Sequence, residues 1–213
     1  MHTWECPEAE QAIKLYKPTK YKIDAPFTSD FKRYAPDRRA ADPRFKPLFT
    51  VSAFYSILQS CILKTQYELE NEPYDWVIKT RTDFALPSIL PFKIFQKGII
   101  YMPPCRTKAF GDWLGNDQFA VGDSATMNIY MSTYLGLDRY NKDGVQMVGE
   151  EMLRANILEH GLRENVHYLN LPEPFPPGWL NGTPHFLIRD DFEQWTKFYK
   201  RKYEECPTEY SGD

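Results

Sequence analysis

The stretch YDWVIKTRTDFAL, Tyr74 to Leu86, decides how the chain is read. Trp76, Val77 and Ile78 form a short apolar run with β-preferring side chains. Lys79, Thr80, Arg81, Thr82 and Asp83 follow at once, and the chain leaves through Ala85, Leu86 and Pro87. This is the pattern of a buried strand, expected over 75–80, that ends in charge. In open α/β sheets ligands sit beyond the carboxyl ends of strands. Arg81 and Asp83 are therefore candidate binding groups.

Upstream, Thr50 or Ser52 can cap a helix. Phe54, Leu58, Cys61, Ile62, Thr65 and Leu69 recur at helical spacing, and Asn71 and Pro73 end it. An α-to-β step results. Residues 1 to about 47 are rich in Pro, Lys and Arg and read as an irregular, solvated connection. Downstream, Gly98 to Met102 is a second strand, stopped by Pro103-Pro104, and Phe119 to Val121 is a short third. Asp123 or Ser124 caps a helix through about Leu135, with Met127, Tyr130, Met131 and Tyr134 inward and Gly136 at its C′ position. A further helix runs from about Gly149 to His160 with Met152, Leu153 and Ile157 inward, ended by Gly161. Val166 to Leu169 is a strand, and Asp190 or Asp191 caps a last helix. Helices interleaved with short strands predict an α/β fold with a mixed central β-sheet flanked by α-helices.

The 213 residues are enough for one good core, so a single domain is expected over 1–213. Its polar ending fits a domain cut from a longer polypeptide. A net charge of −3 implies no general affinity for nucleic acid or a membrane surface. The apolar runs are too short to predict a membrane span. Cys6, Cys61, Cys105 and Cys206 are widely separated and read as free thiols in a reducing, cytoplasmic compartment. Aromatic residues make up 15% of the chain, enough to line a groove as well as a core.

No Walker A loop, GxGxxG, GxSxG or HExxH is present. The chemistry left to the chain is acidic. Asp83 stands at a strand end, Asp117 in the Gly-rich loop Phe110 to Asp123, and Glu150 and Glu151 in the first turn of a helix. Carboxylates with few histidines fit Mg²⁺ or Mn²⁺ better than zinc. Each acid also has a structural role open to it: a turn cap for Asp83, an Asx turn for Asp117, and favourable placement at a helix dipole for the two glutamates.

HTW at residues 2–4, LKTQYELE at 63–70, YDWVIKTRTDFAL, NDQFAVGD at 116–123 and GEEMLRANIL at 149–158 occur in this order. In that order and spacing the chain resembles the GT-A-fold nucleotide-sugar glycosyltransferases that build surface polysaccharides, in particular a viral branch acting on capsid glycans. The resemblance implies transfer of a sugar from a nucleoside-diphosphate sugar, UDP-linked, to a hydroxyl of a glycan or glycoprotein acceptor, in the host cytoplasm if the chain is viral. It implies an Asp-X-Asp element holding Mn²⁺ or Mg²⁺, which falls here on Arg81-Thr82-Asp83. Arg81 replaces the first aspartate, leaving Asp83 with a second ligand from His185 or His167. Asp117 is then the acceptor's base or anchor, with Glu150 and Glu151 as further candidates, and inversion is favoured. Arg81 steadies phosphate, and Trp113, Phe119 and Trp179 shape the sugar groove. In similar proteins HTW follows the first strand of the nucleotide-binding half, so the base contacts are expected to be built differently here. A non-catalytic glycan-binding module and a metal-dependent phosphodiester or sugar-phosphate hydrolase are the alternative readings.

Overall fold

The structure, a computed structural model, describes residues 7–23, 47–81, 84–85, 90, 92–103, 117–169 and 186–187. The elements in chain order are helix α1 (Pro7–Tyr16), helix α2 (Pro47–Glu68), strands β1 (Val77–Lys79), β2 (Phe84–Ala85), β3 (Ile100–Met102) and β4 (Ala120–Gly122), and helices α3 (Ser124–Met131), α4 (Leu137–Lys142) and α5 (Gly149–Glu159). Strands β5 (Val166–Tyr168) and β6 (Phe186–Leu187) follow. The fold is mixed α/β, as the alternation of patterns predicts.

Four strands form a mixed sheet in the order β1-β4-β3-β5. β4 runs antiparallel to β1 and to β3, whereas β3 and β5 are parallel. β1, β3 and β5 therefore point the same way. Their carboxyl ends share one edge of the sheet with the connection that enters β4. A separate antiparallel pair joins β2 to β6.

Side-chain alternation gives the sheet two covered faces. Ile100, Met102, Ala120 and Val77 meet Val51, Phe54 and Cys61 of α2, Met127 and Tyr130 of α3, and Met152, Leu153 and Ile157 of α5. Tyr101, Val121 and Phe119 meet Phe95 and Leu169 on the other face, where Phe95 stacks on Tyr101 with ring centroids 4.5 Å apart.

Several boundaries depart from the sequence reading. Residues 7–16 form α1 rather than an irregular connection. Beyond it, Lys20 pairs with Glu70 and Lys22 donates to Gln59 at 2.7 Å, laying the chain along α2. The buried stripe of α2 is Val51, Phe54, Ile57 and Cys61, turned away from Ile62 (40% exposed) and Leu69 (82% exposed), because α3 and the turn after it pack there. α2 is long and apolar enough to cross a membrane by length and composition alone, and its stripe of Val51, Phe54, Ile57 and Cys61 packs into the core. Cys61 is buried and free, and burial pushes its thiol pKa up. The other three cysteines and the helix expected after Asp191 lie outside the described residues.

Asp123 caps α3 as expected, accepting from the Thr126 N–H at 3.0 Å and the Thr126 hydroxyl at 2.7 Å. It also accepts from the Gly98 N–H, tying the turn before β3 to the start of α3. Burial works to raise its pKa, but these hydrogen bonds outweigh it and hold the carboxyl below its ordinary value. The helix stops at Met131, and a 3-10 turn over Thr133–Gly136 leads into α4. Gly136 is not a left-handed C′ residue, since its φ is −93°. It is there for close approach: a Cβ would lie 2.3 Å from the ring of Tyr140.

That ring cannot swing aside freely. Tyr140 is buried, and its hydroxyl donates to the Glu159 carboxylate and lies 3.1 Å from the side-chain oxygen of Asn156. Burial, and next the bond to Glu159, pushes Tyr140 up to about 12. Gly136→Ala should therefore cost about 1–3 kcal/mol through overpacking. Thermal unfolding will show it, and an unchanged midpoint would mean that the ring has room to move. Gly161, with φ +67°, does end α5 in the left-handed conformation.

Candidate functional site

β1 delivers the first site residue. Val77 faces the larger core cluster, and Lys79, two residues on, shares that side of the pleat. Lys79 is only 8% exposed, and a buried ammonium needs an acceptor. Its Nζ donates to the main-chain carbonyl of Asp117. The register explains the contact, because Lys79 pairs with Ala120 and Asp117 lies in the bend three residues earlier.

The Asp117 carboxylate lies against the start of α5. A Cβ on Gly149, the first residue of that helix, would stand 2.3 Å from its Oδ2. Only a glycine leaves room for the carboxylate there, at the helix end whose unpaired N–H groups and dipole favour an anion. Glu150 follows directly. Burial is the main reason its carboxyl is raised to about 7, with the Asp117 carboxylate next and Glu151 adding a smaller push. Two acids in one partly dry place oppose each other's ionisation. Fully buried Tyr130 senses both, and burial, then Asp117 and Glu150, raises its pKa well above the ordinary value. Its hydroxyl stays protonated.

Beside these groups opens a cleft of about 340 Å³. α2 supplies Ser56, Ile57 and Ser60 to its wall, the end of β1 supplies Lys79 and Arg81, and Asp117 closes one side. Two sequence candidates, Arg81 and Asp117, are thus brought to one cleft, and Glu150 stands behind Asp117. Glu151 is turned to a different partner, Arg154, at 3.5 Å along the same helix.

The remaining candidates divide in two. Asp83, Trp113, Trp179 and His185 lie outside the described residues. His167 is on the opposite face of the sheet from Lys79, with its ring edge-on to Tyr101 at 5.8 Å, so the described fold does not bring it to the cleft. Phe119 does not shape a groove. It is 1% exposed and packs with Val121 and Tyr101, because its backbone position just before β4 turns it into the second core cluster.

Lys79 and Tyr130 are absent from the candidates the sequence offers. The alternation in Val77-Ile78-Lys79, inward, outward, inward, carries the signal for Lys79. Nothing in the local sequence separates Tyr130 from an ordinary core aromatic. Among the described residues no three His, Cys, Asp or Glu side chains converge into a metal-holding group. The described residues do not by themselves supply a metal's ligand set. No protein-family model, curated protein or solved structure matches the chain.

Proposed function

We propose that the chain is a glycosyltransferase of the GT-A type, moving a sugar from a UDP-linked donor to a hydroxyl of a glycan acceptor with inversion. The observation that carries this reading is the Asp117–Glu150 pair, Asp117 on the wall of the cleft and Glu150 behind it with its carboxyl raised to about 7. A general base works best when its pKa lies near the operating pH. The acceptor O–H gives its proton to this pair as its oxygen attacks the anomeric carbon. The bond from that carbon to the diphosphate breaks, and the diphosphate leaves with the electron pair. Arg81 and Lys79, both at the cleft, offer positive charge to it.

Asp83 with His185 would hold Mn²⁺ or Mg²⁺, which would neutralise charge on the leaving diphosphate. Glu151, engaged with Arg154, is a helix-terminus charge rather than a participant.

A panel of nucleoside-diphosphate sugars, scored with Mn²⁺ for binding and slow hydrolysis, tests the proposal. One UDP-sugar is expected to turn over. Asp117→Asn should lower its rate by about 10²–10⁴-fold, and Glu151→Gln should leave it within a few-fold. Failure of every nucleotide to bind, with or without Mn²⁺, would reduce the chain to a glycan-binding module. Turnover of phosphate esters without UDP would point to a hydrolase.

A further inference from the structure

A second cleft, of about 270 Å³, lies further along α2 and is bordered by Lys20, Ser60, Lys64, Tyr67 and Tyr74. Ser60 borders both clefts. The α2 residues lining the two, from Ala53 through Ser60 to Tyr67, recur at helical spacing along one flank of the helix. At the helical rise this flank is about 21 Å long. We infer that the two clefts form one groove along α2 that holds an extended, neutral oligosaccharide acceptor, with Tyr67 and Tyr74 as its remote subsite. This inference rests on the glycosyl-transfer reading for the groove's reacting end only.

Three features favour that occupant. Tyr67 and Tyr74 are stacked, with ring centroids 5.3 Å apart and planes 10° from parallel, and Tyr74 is 41% exposed. A paired aromatic platform buries the C–H face of a pyranose. Next, Ser56 and Ser60 donate their hydroxyl protons to the α2 carbonyls of Ser52 and Ser56, at 3.0 and 3.1 Å. Their oxygens keep acceptor lone pairs for a ligand rich in O–H donors. Finally, the cations at the tyrosine end are balanced, Lys20 by Glu70 and Lys64 by Glu68. A polyanion such as nucleic acid needs cations that are not already neutralised.

The test is binding to immobilised neutral oligosaccharides of graded length, from one sugar to six, with heparin as the polyanionic control. Affinity should rise with length. Tyr74→Ala should lower binding of the longer chains by about tenfold and leave monosaccharide binding unchanged, while Tyr74→Phe, which keeps the ring, should behave as the parent. Length-independent binding, no effect of Tyr74→Ala, or preference for heparin would overturn the inference. A parallel titration with UDP and Mn²⁺ separates the two proposals. UDP binding without length dependence sinks the groove alone, and length dependence without UDP binding sinks transfer alone.

Discussion

Glu68→Ala will cost the fold about 3–5 kcal/mol and lower its melting temperature by roughly 10 °C. Glu68 and Lys64 form an ion pair whose side chains are 10% and 8% exposed. The pair is fully dressed. Lys64 also donates to the Ser124 hydroxyl at 2.7 Å, that hydroxyl donates to Glu68 at 2.6 Å, and the Tyr74 N–H donates to the same carboxylate at 3.0 Å. Burial works to raise the Glu68 pKa, but the bonds from Lys64, Ser124 and Tyr74 outweigh it and hold the carboxyl below 4.5. Its contribution is therefore present at neutral pH and is lost as pH falls through the folded pKa.

Removing Glu68 leaves the Lys64 ammonium nearly dry without its carboxylate, and that stranded charge accounts for most of the cost. The double variant Lys64→Met/Glu68→Leu should recover part of it, since no charge is stranded and only the Ser124 hydroxyl and the Tyr74 N–H lose a partner. Denaturant unfolding of both variants decides the matter. A double variant less stable than Glu68→Ala would mean that the pair's own attraction, rather than the stranded charge, dominates.

Glu150→Gln will have the opposite sign. A carboxyl raised from 4.5 to about 7 by burial and by its acidic neighbours holds its proton in the folded chain after the unfolded chain has released it. The stability linked to that proton is complete below about pH 4.5 and is lost as pH rises through 7. The loss amounts to about 3 kcal/mol. The glutamine variant has no such proton to lose. The difference in unfolding free energy between variant and parent should grow in the variant's favour from pH 5 to about pH 8. Taking the difference cancels the opposing contributions of Glu68 and Asp123, whose carboxyls are held low. A difference that stays flat across this range would show that Glu150 ionises as an ordinary surface glutamate. Under the proposed function the same variant loses activity while it gains stability, as expected where a site stores unfavourable electrostatics.

The sequence made the periodic elements legible and left their junctions hidden. Met152, Leu153 and Ile157 on α5 follow from spacing and the strand end at Met102 from its proline stop, whereas β1 is shorter than the 75–80 its pattern predicts. Gly136 misled because a glycine after a helix usually means a left-handed end. Here it serves the approach of Tyr140, which becomes visible only once α4 folds back. The site was half legible. Arg81 and Asp117 stand at a strand end and in a glycine-rich loop, and their neighbourhood reflects strand pairing. Lys79 was hidden because its acceptor lies 38 residues away, fixed by a register that no local pattern encodes.

The reversed direction of β4 bears on how this sequence can vary over time. Asp117 reaches Lys79 and Gly149 only because three residues' worth of backbone separate it from Ala120, the pairing partner of Lys79. One inserted residue there would carry the carboxylate about 3.3 Å along the chain, away from the helix end that receives it. Length in this short connection is under the same constraint as residue identity, whereas the exposed turn at Asp143 and Gly144, remote from the cleft, is free to lengthen.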